Sequence, residues 1–359
     1  MPLTDGKDKD KDKSVVRQGR RRTESTVQRF SKTAIGEGFQ LWDRDYLLGA
    51  MRLFLFKGET APPFQVGPCM DATGEILVQM EEYEDAAEQF MGAASKYALI
   101  QQPELARLME IKALECSQGP QAALEKVTPY LAQQTAAPTF RGLTPALARM
   151  QAYKADLMLK TAGDAETTEK AVEAARQACH SGWDRIHVAY ILVGDGLQAL
   201  GRFEEACEAY ADAVKSNANC IAAMERQMGV LRIFIAETTD ESRQKQLRQD
   251  LLQLLDSAIA LHPRPTLLRE KAFLLSETEG DAAALQFLDP LILNPPPEEA
   301  DAAGGVAGRT VATLLKAKAA ILADGGKLGE ALQIARAALQ ESPGDEEAEA
   351  IVAELQEAA

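Results

Sequence analysis

The residues able to do chemistry in this chain are few. There are three histidines, His180, His187 and His262, and five cysteines, Cys69, Cys116, Cys179, Cys207 and Cys220. A zinc knuckle needs cysteine ligands a few residues apart, and no two cysteines here have two- to four-residue spacing. Cys179, His180 and His187 make the one local cluster, and a metal there would have to bridge a loop. The competing reading is packing, because a free cysteine behaves as a small buried hydrophobe and Cys179 and Cys207 stand beside alanines of a helical stripe. Packing is the reading taken, so neither a metal nor a cofactor is expected. The odd cysteine count and wide spacing fit a reducing compartment. The stretch from Gly304 to Arg309 resembles a phosphate loop only loosely: the closing Lys-Ser/Thr is missing and no strand precedes it. Acid–base catalysis needs convergent groups held in a pocket, and the many glutamates here sit on solvent faces of helices. The chemistry expected is recognition, and the protein is not expected to be an enzyme.

The elements that position these residues repeat. In His187–Cys220, twelve residues separate Gly194 from Ala206, four more reach Tyr210 and three more Ala213. The same steps run through Gly74, Ala86, Phe90 and Ala93, and through Ala319, Ala331, Ala335 and Ala338. They begin again at Gly38, Ala50 and Phe54, with Lys57 where the last small residue would stand. A large apolar residue sits three positions before each central alanine: Leu47, Tyr83, Phe203 and Leu328. Steps of three and four place such residues on one stripe of a helix. Two antiparallel helices approach closely where their facing side chains are small, and the bulky residue fills the gap to the next pair. One pair cannot bury its own apolar face, but stacked pairs can, which makes a solenoid.

These units resemble tetratricopeptide repeats, whose period is about 34 residues. His187–Cys220 is the fullest match, although Ala218 stands where the family prefers proline. Gly67–Ile100 and Ala312–Asp345 follow, and Ser31–Phe64 matches in part. The expected fold is therefore all-α, an α-solenoid of about eight such helix pairs with a C-terminal cap helix. The degenerate pairs are Glu104–Gln134, Pro145–Trp183, Ile221–His262 with an elongated polar turn at 237–246, and Pro265–Asn294 interrupted by Pro290. The predicted organisation is a tail over 1–32, the repeat array over 33–345 and the cap over 346–359. Composition agrees: 46% of residues are hydrophobic but only 6% aromatic, which suits many small helix contacts better than one large core. Residues Gly38, Gly74, Ala86, Ala93, Gly194, Ala206, Ala213, Ala331 and Ala338 are expected to carry the packing.

The tail differs in kind. Apolar residues are few and no helical stripe forms, the signature of a disordered segment. It carries a net charge of +5 within a chain of −15, leaving about −20 on the remainder. Its basic cluster is Arg17, Arg20, Arg21, Arg22 and Arg29. Three readings stay open: a solvated tail, a docking arm for an acidic surface, or a segment folding back on the acidic body. Thr23, after three arginines, resembles a basophilic kinase site, and a phosphate there would reduce the arm's charge. The tail has neither the apolar core of a secretory peptide nor the acid-poor make-up of a transit peptide. No stretch approaches the roughly 18 apolar residues of a membrane span. A soluble cytoplasmic protein is predicted.

The resemblance further implies a concave binding face lined by the first helix of each pair. Carrying its register across puts Asp71 and Glu75, then Ile191, Asp195 and Gln198, then Lys316 and Ala320, toward that face, with Glu110 and Asp156 from degenerate units. Phe39 and Trp42, one turn apart, either anchor a ligand there or seal the end of the array. Family members that clamp a terminal carboxylate use lysine and asparagine at such places; Asp71, Glu75 and Asp195 have the opposite charge. The expectation is a mildly acidic groove for a basic or amphipathic protein segment, against the alternative that the acids serve solubility. Nucleic acid is not the expected partner. The function predicted is a scaffold or adaptor; the alternative is a structural subunit of a large cytoskeletal or ciliary assembly.

Overall fold

The computed structural model describes residues 35–136, 142–180, 183–296 and 309–358. Among these residues every regular element is a helix. They run as α1 (35–43) and α2 (Leu47–Thr60), α3 (Pro63–Gln79) and α4 (Tyr83–Leu99), α5 (Pro103–Gln118) and α6 (Pro120–Thr135), and α7 (Pro145–Thr161) and α8 (Ala165–Cys179). Then come α9 (Ile186–Ala199) and α10 (Phe203–Ser216), α11 (Ile221–Glu237) and α12 (Glu241–Leu261), α13 (Pro265–Glu279) and α14 (Asp281–Leu293), α15 (Arg309–Asp324) and α16 (Leu328–Glu341), and the closing α17 (Glu346–Ala358). The expected all-α array of eight pairs and a last single helix is what these residues form. The basic arm, Thr23 and the Gly304 loop lie outside the described residues.

The chain divides into two compact units, Met1–Trp42 with Gly49–Met150, and Asp43–Leu48 with Gln151–Ala359. In the first unit the small–large register is literal. A β-carbon on Gly38 would lie 2.7 Å from the ring of Phe54, and one on Gly74 2.7 Å from the ring of Phe90. Glycine is there because an aromatic ring from the second helix occupies the β-carbon's place. Ala50, Ala86 and Ala93 are fully buried alongside. Lys57, where the register calls for a small residue, is fully buried too.

In the second unit the same device pairs Gly194 with the ring of Tyr210, and Ala206, Ala213, Ala331 and Ala338 have no exposed surface. The last pair solves the crossing differently: Ala319 faces a helix carrying Ala335 in place of an aromatic, and both are buried in one cluster with Leu322 and Leu355. Burial in this unit is spread over successive local clusters, one around α7 to α11, another around α11 to α13, and others around α13 to α17. That is the pattern of a stacked array rather than of a single core.

The large apolar residues that precede the central alanines begin the second helices. Leu47, Tyr83, Phe203 and Leu328 are the first residues of α2, α4, α10 and α16. Three of the turns before these helices share one geometry. Glu82 N donates to Leu77 O, Arg202 N to Leu197 O and Lys327 N to Leu322 O, at 2.8–2.9 Å. The residue between is left-handed each time: Gly201 at φ 73°, Gly326 at φ 76°, and Glu81 at φ 64°.

Two expectations about connections are corrected. Pro290 does not interrupt the seventh pair. It lies inside the last turn of α14, and Asn294 N closes on its carbonyl at 3.0 Å. A proline this late removes one N–H bond without ending the helix. The polar stretch 237–246 is not an extended turn: only Thr238–Asp240 lies between helices. Asp240 caps α12 by accepting from Ser242 N at 2.9 Å and Arg243 N at 3.4 Å, and Leu247, Leu251, Leu255 and Ala258 form the buried stripe.

Candidate functional site

In the first unit, α3, α5 and α7 are joined by one buried charge network. Asp71, on α3, is 4% exposed. Arg149 on α7 grips it with both arms, Nη1 at 2.5 Å from Oδ2 and Nη2 at 2.8 Å from Oδ1. Lys112 on α5 donates to Glu75 Oε1 and stands 3.6 Å from Asp71 Oδ1. Its ammonium also lies 5.3 Å from the centroid of Phe90, a cation–π contact. The Tyr97 hydroxyl donates to Asp71 Oδ2 at 3.3 Å. Burial alone would raise the Asp71 carboxyl, but the charges of Arg149 and Lys112 and the hydrogen bonds from Arg149 and Tyr97 hold it below the ordinary carboxylate value. Burial and the Asp71 charge push the Tyr97 phenol up.

The structure therefore places Asp71 and Glu75 against two cations that the sequence reading did not select. Lys112 and Arg149 were missed because α5 and α7 belong to degenerate units, where the carried-over register picked Glu110 and Asp156. Glu110 accepts from Arg107 at 2.7 Å and Asp156 pairs with Lys160 at 2.8 Å, each within its own helix. Phe39 stacks on Trp42 with centroids 6.0 Å apart and meets Phe54 edge-on at 5.1 Å. Both rings are half-buried.

In the second unit Asp195 is also engaged. It accepts from the Tyr210 hydroxyl at 2.8 Å and from Arg226 Nε on α11 at 2.6 Å. Gln198 Oε1 lies 3.0 Å from the same hydroxyl. These two side chains thus hold the ring that fills the Gly194 gap. Ile191, expected on the open face, is instead buried in the cluster with Leu192 and Leu197. Lys316 is buried as well; its ammonium bonds Asp345 at 2.7 Å and Glu347 at 2.5 Å, and Glu347 also accepts from Arg269 at 3.2 Å. Neighbouring first helices carry one more such link, from Arg232 on α11 to Glu270 on α13. Within each unit these cross-helix pairs, some buried and some partly exposed, set cations beside acids of the first helices. The groove expected from the register was mildly acidic, and its acids Asp71, Glu75 and Asp195 carry cation partners.

The candidate reactive groups are quiet. Burial pushes the Cys69 thiol up to about 11 and that of Cys179 up to about 12, so both stay protonated at neutral pH and are poor nucleophiles. Cys179 Sγ lies 3.4 Å from Ala175 O, a contact inside its own helix. His180 is exposed just past the end of α8, whereas His187 is buried in the first turn of α9. Among the described residues no three His, Cys, Asp or Glu side chains gather as a metal site. No helix of the described residues is long and apolar enough to cross a membrane.

Fold and face together define an all-α helical-repeat chain with charge-laced first helices. No protein-family model matches it, and no curated protein sequence does. Among solved structures it is similar to a tetratricopeptide repeat protein from Parabacteroides merdae, with 13% identity over 81% of this chain and 98% of that one and a TM-score of 0.37. It is similar to pilF of Pseudomonas aeruginosa at 17% identity over 76% and 99% of the two chains, TM-score 0.37. A Rap protein complexed with competence and sporulation factor shares 14% identity over 73% and 74%, TM-score 0.41. The architecture described above rests on this chain's own helices and not on these distant likenesses.

Proposed function

We propose that the protein is a non-enzymatic interaction scaffold that holds a segment of a partner protein on the first-helix faces of its pairs. The observation that carries this reading is the charge lacing across α3, α5 and α7 and across α9, α11 and α13. It fixes polar side chains in place on neighbouring helices, and a pre-set pattern of charge is what gives selectivity to a binding face. Because Asp71, Glu75 and Asp195 already hold cations, a purely basic segment gains little there. An amphipathic segment carrying both charges fits better. In this reading the arginines at 17, 20, 21, 22 and 29 add a salt-sensitive second attachment to an acidic surface.

A second reading, a structural subunit of a larger assembly, is favoured by the apolar side chains left on α2 and α4 of the first unit. Leu55, Met91 and Leu99 are 44%, 52% and 73% exposed. One experiment separates the two. Partner capture is compared for the wild type, an inner set (Glu75→Lys, Arg226→Glu) and an outer set (Leu55→Ser, Met91→Ser, Leu99→Ser), all with melting curves. Loss with the inner set alone supports the scaffold, and loss with the outer set alone supports the assembly subunit. Retention in both overturns the two readings together.

A further inference from the structure

The second unit contains a short segment with several polar partners far along the chain. This is Asp43–Leu48, whose partners stand 142 to 219 residues further along the chain. Asp43 receives Arg185 Nη2 at 3.0 Å and Asn217 Nδ2 at 2.8 Å, with His187 Nε2 at 3.7 Å. Asp45 receives Arg264 Nη1 at 2.7 Å, and Arg264 is itself braced by Glu225. The ring of Tyr46 stacks on His262, centroids 3.9 Å apart and planes 26° from parallel. Asp45 adopts a left-handed backbone at φ 63°, which bends the chain so that both carboxylates reach their guanidinium groups. Arg185 and His187 come from the start of α9, Asn217 from the end of α10, and His262 and Arg264 from the link between α12 and α13. Helix packing does not require donors from three separate places to converge on one short turn. A bidentate or multi-donor grip on carboxylates is what recognition sites use.

We infer that this part of the second unit is a binding site for an acidic peptide segment of the pattern Asp-x-Asp-aromatic, and that Asp43–Tyr46 is its resident occupant. A partner protein presenting the same chemistry competes with the resident turn. The inference deepens the scaffold reading, on which it rests for its biological partner, and it adds a second class of ligand, acidic where the first-helix faces take an amphipathic one. Arg185 and Arg264 set specificity for two carboxylates, and His262 sets it for the ring that follows.

The test uses the full-length chain and a fluorescein-labelled peptide of residues 40–48 as the probe. The variant Asp43→Asn, Asp45→Asn removes both charges from the resident turn at nearly unchanged shape and so weakens its hold, and its melting curve and helical circular dichroism are recorded alongside. It is expected to bind the probe at least tenfold tighter than the wild type. Adding Arg185→Glu and Arg264→Glu is expected to remove that gain, and a probe with both aspartates replaced by asparagine is expected not to bind. A folded variant that ignores the probe, or that binds both probes alike, overturns the inference. Should the variant not fold, hydrogen exchange on the wild type decides. Saturating probe must speed exchange at residues 43–46, and unchanged exchange overturns the inference. Peptide binding is read without any cellular partner, so loss of the scaffold reading in the capture experiment leaves this result standing or falling by itself.

Discussion

At the scale of single residues, the same amino acid in the same kind of helix has opposite value depending on what faces it. Gly194 sits where a β-carbon would run into the Tyr210 ring, whereas Gly229, inside α11, has nothing within 4 Å of that position. Gly194→Leu is expected to overpack the crossing and to cost about 1–3 kcal/mol or more. Gly229→Ala removes only a flexible backbone and is expected to add about 1 kcal/mol. Paired melting curves check both, and a shift of the same sign in the two would remove the register. Glu81 gives a third case. It holds the left-handed turn position that Gly201 and Gly326 hold elsewhere, at a cost of about 1–2 kcal/mol for a residue with a β-carbon. Glu81→Gly is expected to recover part of that as a higher melting temperature.

Asp71 is a buried carboxylate set against two cations. Arg149→Met removes the two-armed grip on a buried carboxylate, leaving it Lys112 and Tyr97, and is expected to cost about 3–5 kcal/mol, while Asp71→Leu with Arg149→Met is expected to be near neutral. The acid dependence has a definite sign. The native Asp71 carboxyl lies below its ordinary value of 3.8, so the stability it contributes is complete above that value and is lost as pH falls through the lower native one. Urea melts at falling pH should therefore show the gap between wild type and double variant changing only in acid below 3.8. A change around neutral pH would contradict the assignment.

At the scale of elements, the helix crossing works as a size-matched pair sixteen residues apart: glycine against an aromatic in three pairs, alanine against alanine in the last. This predicts coupling. Ala335→Phe alone is expected to overpack against Ala319, and Ala319→Gly is expected to rescue it, with a coupling of about 0.5–3 kcal/mol in a double-mutant cycle. Additive effects would mean that the last pair packs by another rule. The elements that departed from expectation share one cause. Proline 290 and the polar stretch 237–246 carry local signals for breaks, but capping by Asp240 and the leucine stripe of α12 outweigh them, and a proline in the final turn has little helix left to disturb.

At the scale of the molecule, burial is local, so damage should be local. Tyr210→Ala empties the α9–α10 crossing and is expected to raise hydrogen exchange in α8 to α11 while leaving α15 to α17 protected, as nearest-neighbour arrays behave. A uniform rise across the second unit would show instead that it unfolds as one block. The sequence by itself determined the helix pairs, the small and large positions of the repeating register and the residues Leu47, Tyr83, Phe203 and Leu328 that start four second helices, because these depend on spacings within about 34 residues that any helix imposes. It also placed Asp71, Glu75 and Asp195 on the first helices of their pairs. What it left undecided was their electrical state. Lys112 and Arg149 neutralise Asp71 and Glu75, Arg226 neutralises Asp195, and Arg185 and Arg264 hold Asp43 and Asp45. These partners lie from 31 to 219 residues away, and charge has no periodicity that a chain read in order reveals. Only the stacking of helices brings such groups within the few ångströms over which Coulomb attraction and hydrogen bonding act.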